Sequence, residues 1–149
     1  MQAAGNDAAR PLTKEGEEEV AEVCKRLVRA GLDLDKIACS PLKRAKDTAL
    51  VAAKAFEIEL EEWAELKPDA KGEDLARRLS RQKRESSILI VGHEPFLSAF
   101  ICETVGASPE AKIVLKKSGL ARVTITSFVP KVSGELRWLL SPKLIKRLR

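Results

Sequence analysis

Twice in this chain a short apolar run ends on a polar junction at which a helix is ready to begin. Lys36 to Cys39 runs into Ser40-Pro41, and Ser87 to Val91 runs into Gly92-His93-Glu94-Pro95. Each run has strand length, and the second is apolar enough for a strand buried on both faces. Helical patterns lie between and around them. Thr13 is an N-cap for a helix over 14–30, with Val20, Val23, Leu27 and Val28 on one face, Cys24 beside them and Gly31 as the stop. Ser40 as N-cap and Pro41 at the first helical position start a second helix, which runs to Phe56. Ile58 and Leu60 alternate with glutamates as a short strand with one wet face, and a basic helix spans 73–84. Another helix spans 95–105. Strand–helix alternation over 14–105 predicts an α/β layered fold with a largely parallel sheet, in which ligands bind beyond the carboxyl ends of the strands.

The remaining segments are less regular. Residues 1–12 read as irregular, with a turn at Gly5-Asn6-Asp7. Ile113 to Leu115 is a candidate strand. Leu120 to Phe128 and Glu135 to Leu140 read as a hairpin turning at Gly134. With 149 residues and neither a repeat nor a linker, the chain reads as one domain over 1–149.

Composition narrows the function classes. Hydrophobic residues make up 44% and charged residues 33%, a balance that excludes wholesale disorder. No apolar run reaches the roughly 18 residues of a membrane span, and no signal segment opens the chain. Cys24, Cys39 and Cys102 are odd in number and scattered, so they read as buried thiols in a reducing cytoplasm. With a single histidine, a zinc site has too few ligands, and no cofactor motif is present. A Cys–His nucleophilic pair is the catalytic alternative. The net charge of +5 suits an anionic ligand. Arg77, Arg78, Arg81, Lys83 and Arg84, with Lys143, Lys146, Arg147 and Arg149 in the tail, offer a nucleic-acid reading. Six aromatic residues and no tyrosine leave few stacking platforms for it, and a solvated helix face explains the run.

Both junctions carry candidate chemistry. Arg44 lies in the first turn of its helix, where the dipole favours acids, and a guanidinium there can grip a phosphate through two parallel hydrogen bonds. A solvated helix arginine is the competing reading. His93, the sole histidine, stands where a strand becomes a helix and can donate to a phosphoryl oxygen, or simply cap the junction. Gly92 before it allows a sharp turn or close ligand approach. Ser118-Gly119 is either a plain turn or a further donor. Arg10 is a third basic candidate, or a structural partner of Asp7. Glu65 and Glu94 are candidate acids, or surface carboxylates.

Taken in order, these segments resemble a known family. Arg10-Pro11-Leu12-Thr13 with Gly16, Ser40-Pro41-Leu42-Lys43-Arg44-Ala45-Lys46-Asp47-Thr48-Ala49 and Val91-Gly92-His93-Glu94-Pro95 carry the resemblance. Ser118-Gly119-Leu120-Ala121-Arg122 and Trp138-Leu139-Leu140-Ser141-Pro142 extend it over essentially the whole chain. They are similar to the compact phosphohistidine phosphatases of the SixA type, within the histidine phosphatase superfamily that also holds phosphoglycerate mutases. The resemblance implies a three-layer phosphoglycerate mutase-like fold with a mostly parallel central sheet. It implies phosphoryl transfer to a histidine nucleophile through a phospho-enzyme, without metal or cofactor. Arg44, His93 and Ser118 map onto the family's phosphate-binding positions, with His93 also catalytic. The implied partner is a protein phosphohistidine or a small phosphoester, rather than nucleic acid or membrane.

The family's first strand, with its Arg-His-Gly motif, has no counterpart in the chain, whose first residues match the loop after it. The expectation is therefore a record begun downstream of the true start, or a shortened gene. Without a second histidine the phosphatase chemistry is expected to be absent from this chain. The alternative is a non-catalytic relative that holds phosphate or a phosphoprotein.

Overall fold

The computed structural model describes residues 9–148. Strands and helices alternate as α1 (Lys14–Arg29), β1 (Lys36–Cys39), α2 (Lys43–Phe56), β2 (Leu60–Glu62), a 3-10 turn (Ala64–Leu66), α3 (Gly72–Ser80), β3 (Ile88–Val91) and α4 (Phe96–Thr104). The hairpin strands β4 (Leu120–Ser127) and β5 (Ser133–Leu140) follow, then the short helix α5 (Pro142–Ile145). The first three strands form a parallel sheet in the order β2-β1-β3, and β4 and β5 pair antiparallel.

β1 is the centre of the layered structure. Successive side chains of a strand face opposite ways. Ile37 and Cys39 accordingly pack with Val20 and Cys24 of α1 and Ala49 and Ala52 of α2. Ala38 packs on the other face with Trp63, Leu66, Leu75 of α3 and Phe100 of α4. Ile37, Ala38 and Cys39 are wholly buried. Helices therefore cover both faces of a parallel sheet, the α/β arrangement expected from the strand–helix alternation.

Local signals explain several boundaries. The Thr13 hydroxyl accepts the Gly16 N–H at 3.0 Å and caps α1. Val20, Val23, Cys24 and Leu27 form its buried stripe. Val28 was expected on that stripe but is 42% exposed, because it lies a further 100° round the helix from Leu27. Gly31, at φ +90°, ends the helix as expected.

Other expectations need correction. The second strand is Leu60–Glu62, two residues later than read, where Cys39 pairs with Glu62. The basic helix ends at Ser80, so Arg81, Lys83 and Arg84 lie in the following turns. Ile88–Val91 are all half-buried rather than sealed on both faces, and among the described residues β3 has a sheet partner on one edge only. Ile113 to Leu115 form no strand: they pair with nothing among the described residues, and Val114 is 65% exposed. Gly134 is not in the turn. It lies inside β5 opposite Ile125, where a Cβ would sit 2.3 Å from the Thr124 carbonyl oxygen, so only glycine permits that approach. Cys24 and Cys39 are buried, but Cys102 is only half-buried. Ala9 is helical where an irregular segment was expected, and the turn at Gly5-Asn6-Asp7 lies outside the described residues. No helix among the described residues is long and apolar enough to cross a membrane.

Candidate functional site

Sheet order places the two junctions side by side. β1 and β3 are adjacent and parallel, with Cys39 opposite Val91 at their carboxyl ends. From there the chain leaves β1 for α2 on one face and β3 for α4 on the other. Adjacent strands whose connections diverge in this way open a crevice at their carboxyl ends, the usual ligand position in such sheets.

Ser40 crosses that crevice. Its backbone N–H donates to the Val91 carbonyl at 2.9 Å, continuing the ladder one step beyond β1. Its hydroxyl lies 2.8 Å from His93 Nε2 and also accepts the Leu42 N–H at 3.2 Å. Ser40 is wholly buried and His93 half-buried. This corrects the expected helix start. Ser40 is not the N-cap of α2, because its oxygen is held by Leu42 and His93. Leu42 takes the cap position with extended backbone and no side-chain cap bond, and α2 begins at Lys43.

Arg44 remains in the first turn of α2, which contains no acidic residue. Its neighbours are engaged: Lys43 Nζ lies 2.9 Å from Asp47 and Lys46 Nζ lies 3.0 Å from Glu62. Arg44 is half-buried and has no ion pair among the described residues. A guanidinium in the uncapped first turn of a helix is suited to an oxyanion.

The other candidates divide. Ser118 adopts a left-handed backbone, φ +62°, just before β4, and makes no side-chain hydrogen bond among the described residues. Among the described residues no hydrogen bond or ion pair joins it to Arg44 or His93. Gly92 has no left-handed backbone, and a Cβ there would meet Leu97 at 3.4 Å and the Leu66 carbonyl at 3.5 Å, so the sharp-turn reading does not hold. Glu94 accepts the Ser98 N–H at 3.0 Å and also bonds its hydroxyl, which makes it a cap for α4. Glu65 faces Arg78 at 3.6 Å. Both carboxylates thus have structural partners. Arg10 has a partner, but Asp7, suggested for it, lies outside the described residues.

Cys39 precedes Ser40, yet burial pushes its thiol up to about 11, with Glu62 adding to the shift and Lys46 opposing it. A thiol held protonated is a poor nucleophile, which removes the Cys–His alternative at this site. Cys24 is likewise pushed up to about 11 by burial. The basic helix offers no continuous cationic face either. Arg77 pairs with Asp74 at 2.9 Å, and Arg78 stacks over the Trp63 ring at 4.8 Å while facing Glu61 and Glu65.

Sequence reasoning missed Ser40 as the partner of His93. A Ser-Pro pair reads as a helix cap, and only the strand register reveals the second role.

The chain is similar to known proteins. The model of the histidine phosphatase superfamily (branch 1) matches residues 3–68. An uncharacterised protein of Picosynechococcus sp. is 30% identical over 159 residues, covering 92% of this chain and 86% of the relative. The chain belongs to the histidine phosphatase superfamily. Among solved structures, the protein histidine phosphatase SixA complexed with tungstate superposes with a TM-score of 0.82 at 23% identity, covering 96% of this chain and 91% of that one. A phosphoserine phosphatase mutant from Entamoeba histolytica, in complex with phosphoserine, has a TM-score of 0.70 at 17% identity, covering 89% and 85%. The fold is thus the phosphoglycerate mutase-like α/β fold of the histidine phosphatase superfamily.

Proposed function

We propose that Arg44 and His93, with Ser118 as a further donor, hold the phosphoryl group in a site of phosphohistidine phosphatase type. The observation that carries this reading is the Ser40–His93 hydrogen bond at the carboxyl end of the parallel sheet. It brings His93 to the strand end from which the helix bearing Arg44 departs. Arg44 supplies charge to the equatorial oxygens and His93 a directed donor, the electrostatic part of phosphoryl transfer. The phosphate-holding group is a protein phosphohistidine or a small phosphoester, in the cytoplasm.

Covalent turnover through a phosphohistidine enzyme needs a nucleophilic imidazole besides the one that stabilises charge. His93 is the only histidine in these 149 residues. The same count favours a second reading, a non-catalytic relative that binds a phosphorylated ligand. With the residues given, binding is expected and turnover by that route is not.

Tungstate, a phosphate-like oxyanion, tests the binding half by calorimetric titration. Arg44→Ala should weaken its affinity by at least about tenfold, the value of one charge-assisted hydrogen bond. Equal affinity in wild type and variant would remove Arg44 from the site. Release of phosphate from a phosphohistidine peptide separates the two readings. Turnover abolished by His93→Gln would restore catalysis to this chain, and its absence in wild type favours the binding protein.

A further inference from the structure

We propose that one face of the β4–β5 hairpin carries a second ligand site, for a nucleoside monophosphate, built from Arg122, Thr124, Arg137 and Trp138. The site is independent of the reading of Arg44 and His93, since none of its four residues belongs to the strand-end site.

The chain has two tryptophans, and the fold treats them differently. Trp63 is wholly buried, its indole N–H donates to Glu61 at 3.0 Å, and Arg78 stacks over its ring at 4.8 Å. Trp138 is half-buried and belongs to none of the three core clusters. Among the described residues its indole N–H has no hydrogen-bond partner and no cation stacks on its ring. A large aromatic side chain held half out of the core, with neither ring nor N–H engaged, is a ready stacking surface.

A β-bulge gathers cations around it. Strand pairing steps from Arg122–Trp138 to Val123–Leu136, so Arg137 is an extra residue of β5. Neighbours on a regular strand face opposite sides of the sheet. Here Arg137 and Trp138 line the same open hollow of about 530 Å³, together with Arg122 and Thr124. Bulges re-aim side chains in this way. Arg122, Thr124 and Arg137 are exposed, and among the described residues no acidic side chain lines the hollow. Neither Arg122 nor Thr124 has a side-chain hydrogen bond or ion pair among the described residues. Arg137 pairs with Glu135 at 3.5 Å with both side chains exposed, a weak pair that an incoming anion replaces.

These groups select the chemistry of the ligand. Two guanidiniums bind a phosphate through charge-assisted hydrogen bonds. The indole face takes a planar base, whatever its identity. Thr124 offers a hydroxyl to the sugar between them. An acidic peptide or a sugar phosphate would engage the arginines but leave the ring uncovered. A phosphate joined to an aromatic base engages both, and the hollow lies within the roughly 300–1,000 Å³ of small-ligand sites.

The test is a titration of the 15N-labelled full chain with AMP to about 10 mM, a range that reaches millimolar dissociation constants. The two indole N–H signals are assigned with Trp138→Phe, which removes one of them. AMP should shift the Trp138 signal and leave that of Trp63 in place. Trp138→Ala should weaken binding, followed through the amide shifts of β4 and β5, about fivefold or more, the value of one stacked base. Arg122→Ala should weaken it about tenfold, the value of a charge-assisted hydrogen bond. Arg44→Ala should leave it unchanged. An unmoved Trp138 signal in the wild type overturns the proposal whether or not the variants fold. So does a response to inorganic phosphate alone that equals the response to AMP, because the ring then plays no part. Loss of the hairpin response in Arg44→Ala would assign the nucleotide to the strand ends and likewise overturn the second site, while leaving the strand-end reading intact. A single-stranded oligonucleotide bound more tightly than AMP, with a steep salt dependence, would overturn the small-ligand reading in favour of nucleic acid.

Discussion

Asp47 shows how one carboxylate ties the loop before α1 to the helix that carries Arg44. Its Oδ2 accepts the Leu12 N–H at 3.1 Å, across 35 residues of sequence, and its Oδ1 meets Lys43 Nζ at 2.9 Å. The hydrogen bond from Lys43 is the main cause holding its carboxyl below the ordinary range. The Leu12 amide and the charges of Lys43 and Lys46 add to it, and partial burial opposes it. A carboxylate with a lowered folded-state pKa contributes stability that is fully present above its unfolded value, about 3.9, and is lost as pH falls through the folded value. Asp47→Ala should therefore cost about 1 kcal/mol at neutral pH, the scale of one such hydrogen bond. The gap to wild type should narrow in urea unfolding below about pH 4. A gap that stays constant down to pH 2 would show that the charge on Asp47 contributes nothing.

At the level of elements, β1 has a position that no other strand of its sheet shares among the described residues. It is paired on both edges, by β2 and β3, and Ile37, Ala38 and Cys39 are fully buried. Amides there open only when the sheet opens. Native-state hydrogen exchange should find Ile37 to Ser40 among the slowest amides, about tenfold or more slower than those of β2. Comparable rates in the two strands would contradict the layered core. This centre was legible in the sequence because strand-length apolar runs and helical stripes agreed with each other: α1, β1 and the end of α2 fall where the pattern places them. What escaped the pattern depended on distant partners. Ile113 to Leu115 have strand composition, but a strand exists only against another strand. Gly134 reads as a turn residue until the approach of Thr124 shows why glycine is required within β5. Arg44 and His93 were visible as chemistry, whereas Ser40 was not, because its second role arises only when β1 and β3 lie in register.

For the whole molecule, the decisive contact is the return of the C-terminal segment onto α1. Ile145 is wholly buried against Val23 and Leu27, with Leu148 and the hairpin residues Leu120 and Leu140 packed around them. Polar bonds reinforce it: Arg26 Nη1 donates to the Leu148 carbonyl at 2.6 Å and Lys146 Nζ lies 3.1 Å from Glu19. Ser141 starts the short α5 by accepting the Leu144 N–H at 3.2 Å, which aims Ile145 inward. The basic tail is thus partly an internal clasp, and Lys146 in particular serves the fold rather than a nucleic acid. This third core cluster meets the first one through Phe56 of α2 but includes neither Ser40 nor His93, so it joins the hairpin to α1 away from those strand ends. Ile145→Ala should cost about 2–5 kcal/mol, as a buried isoleucine truncated in a packed site does. Wherever the variant remains folded, its tungstate affinity should match wild type. A cost below about 1 kcal/mol in denaturant unfolding would mean that the clasp relaxes around the cavity and does not bind the molecule together. A matched fall in tungstate affinity would instead mean that the clasp and the strand-end site are a single cooperative unit.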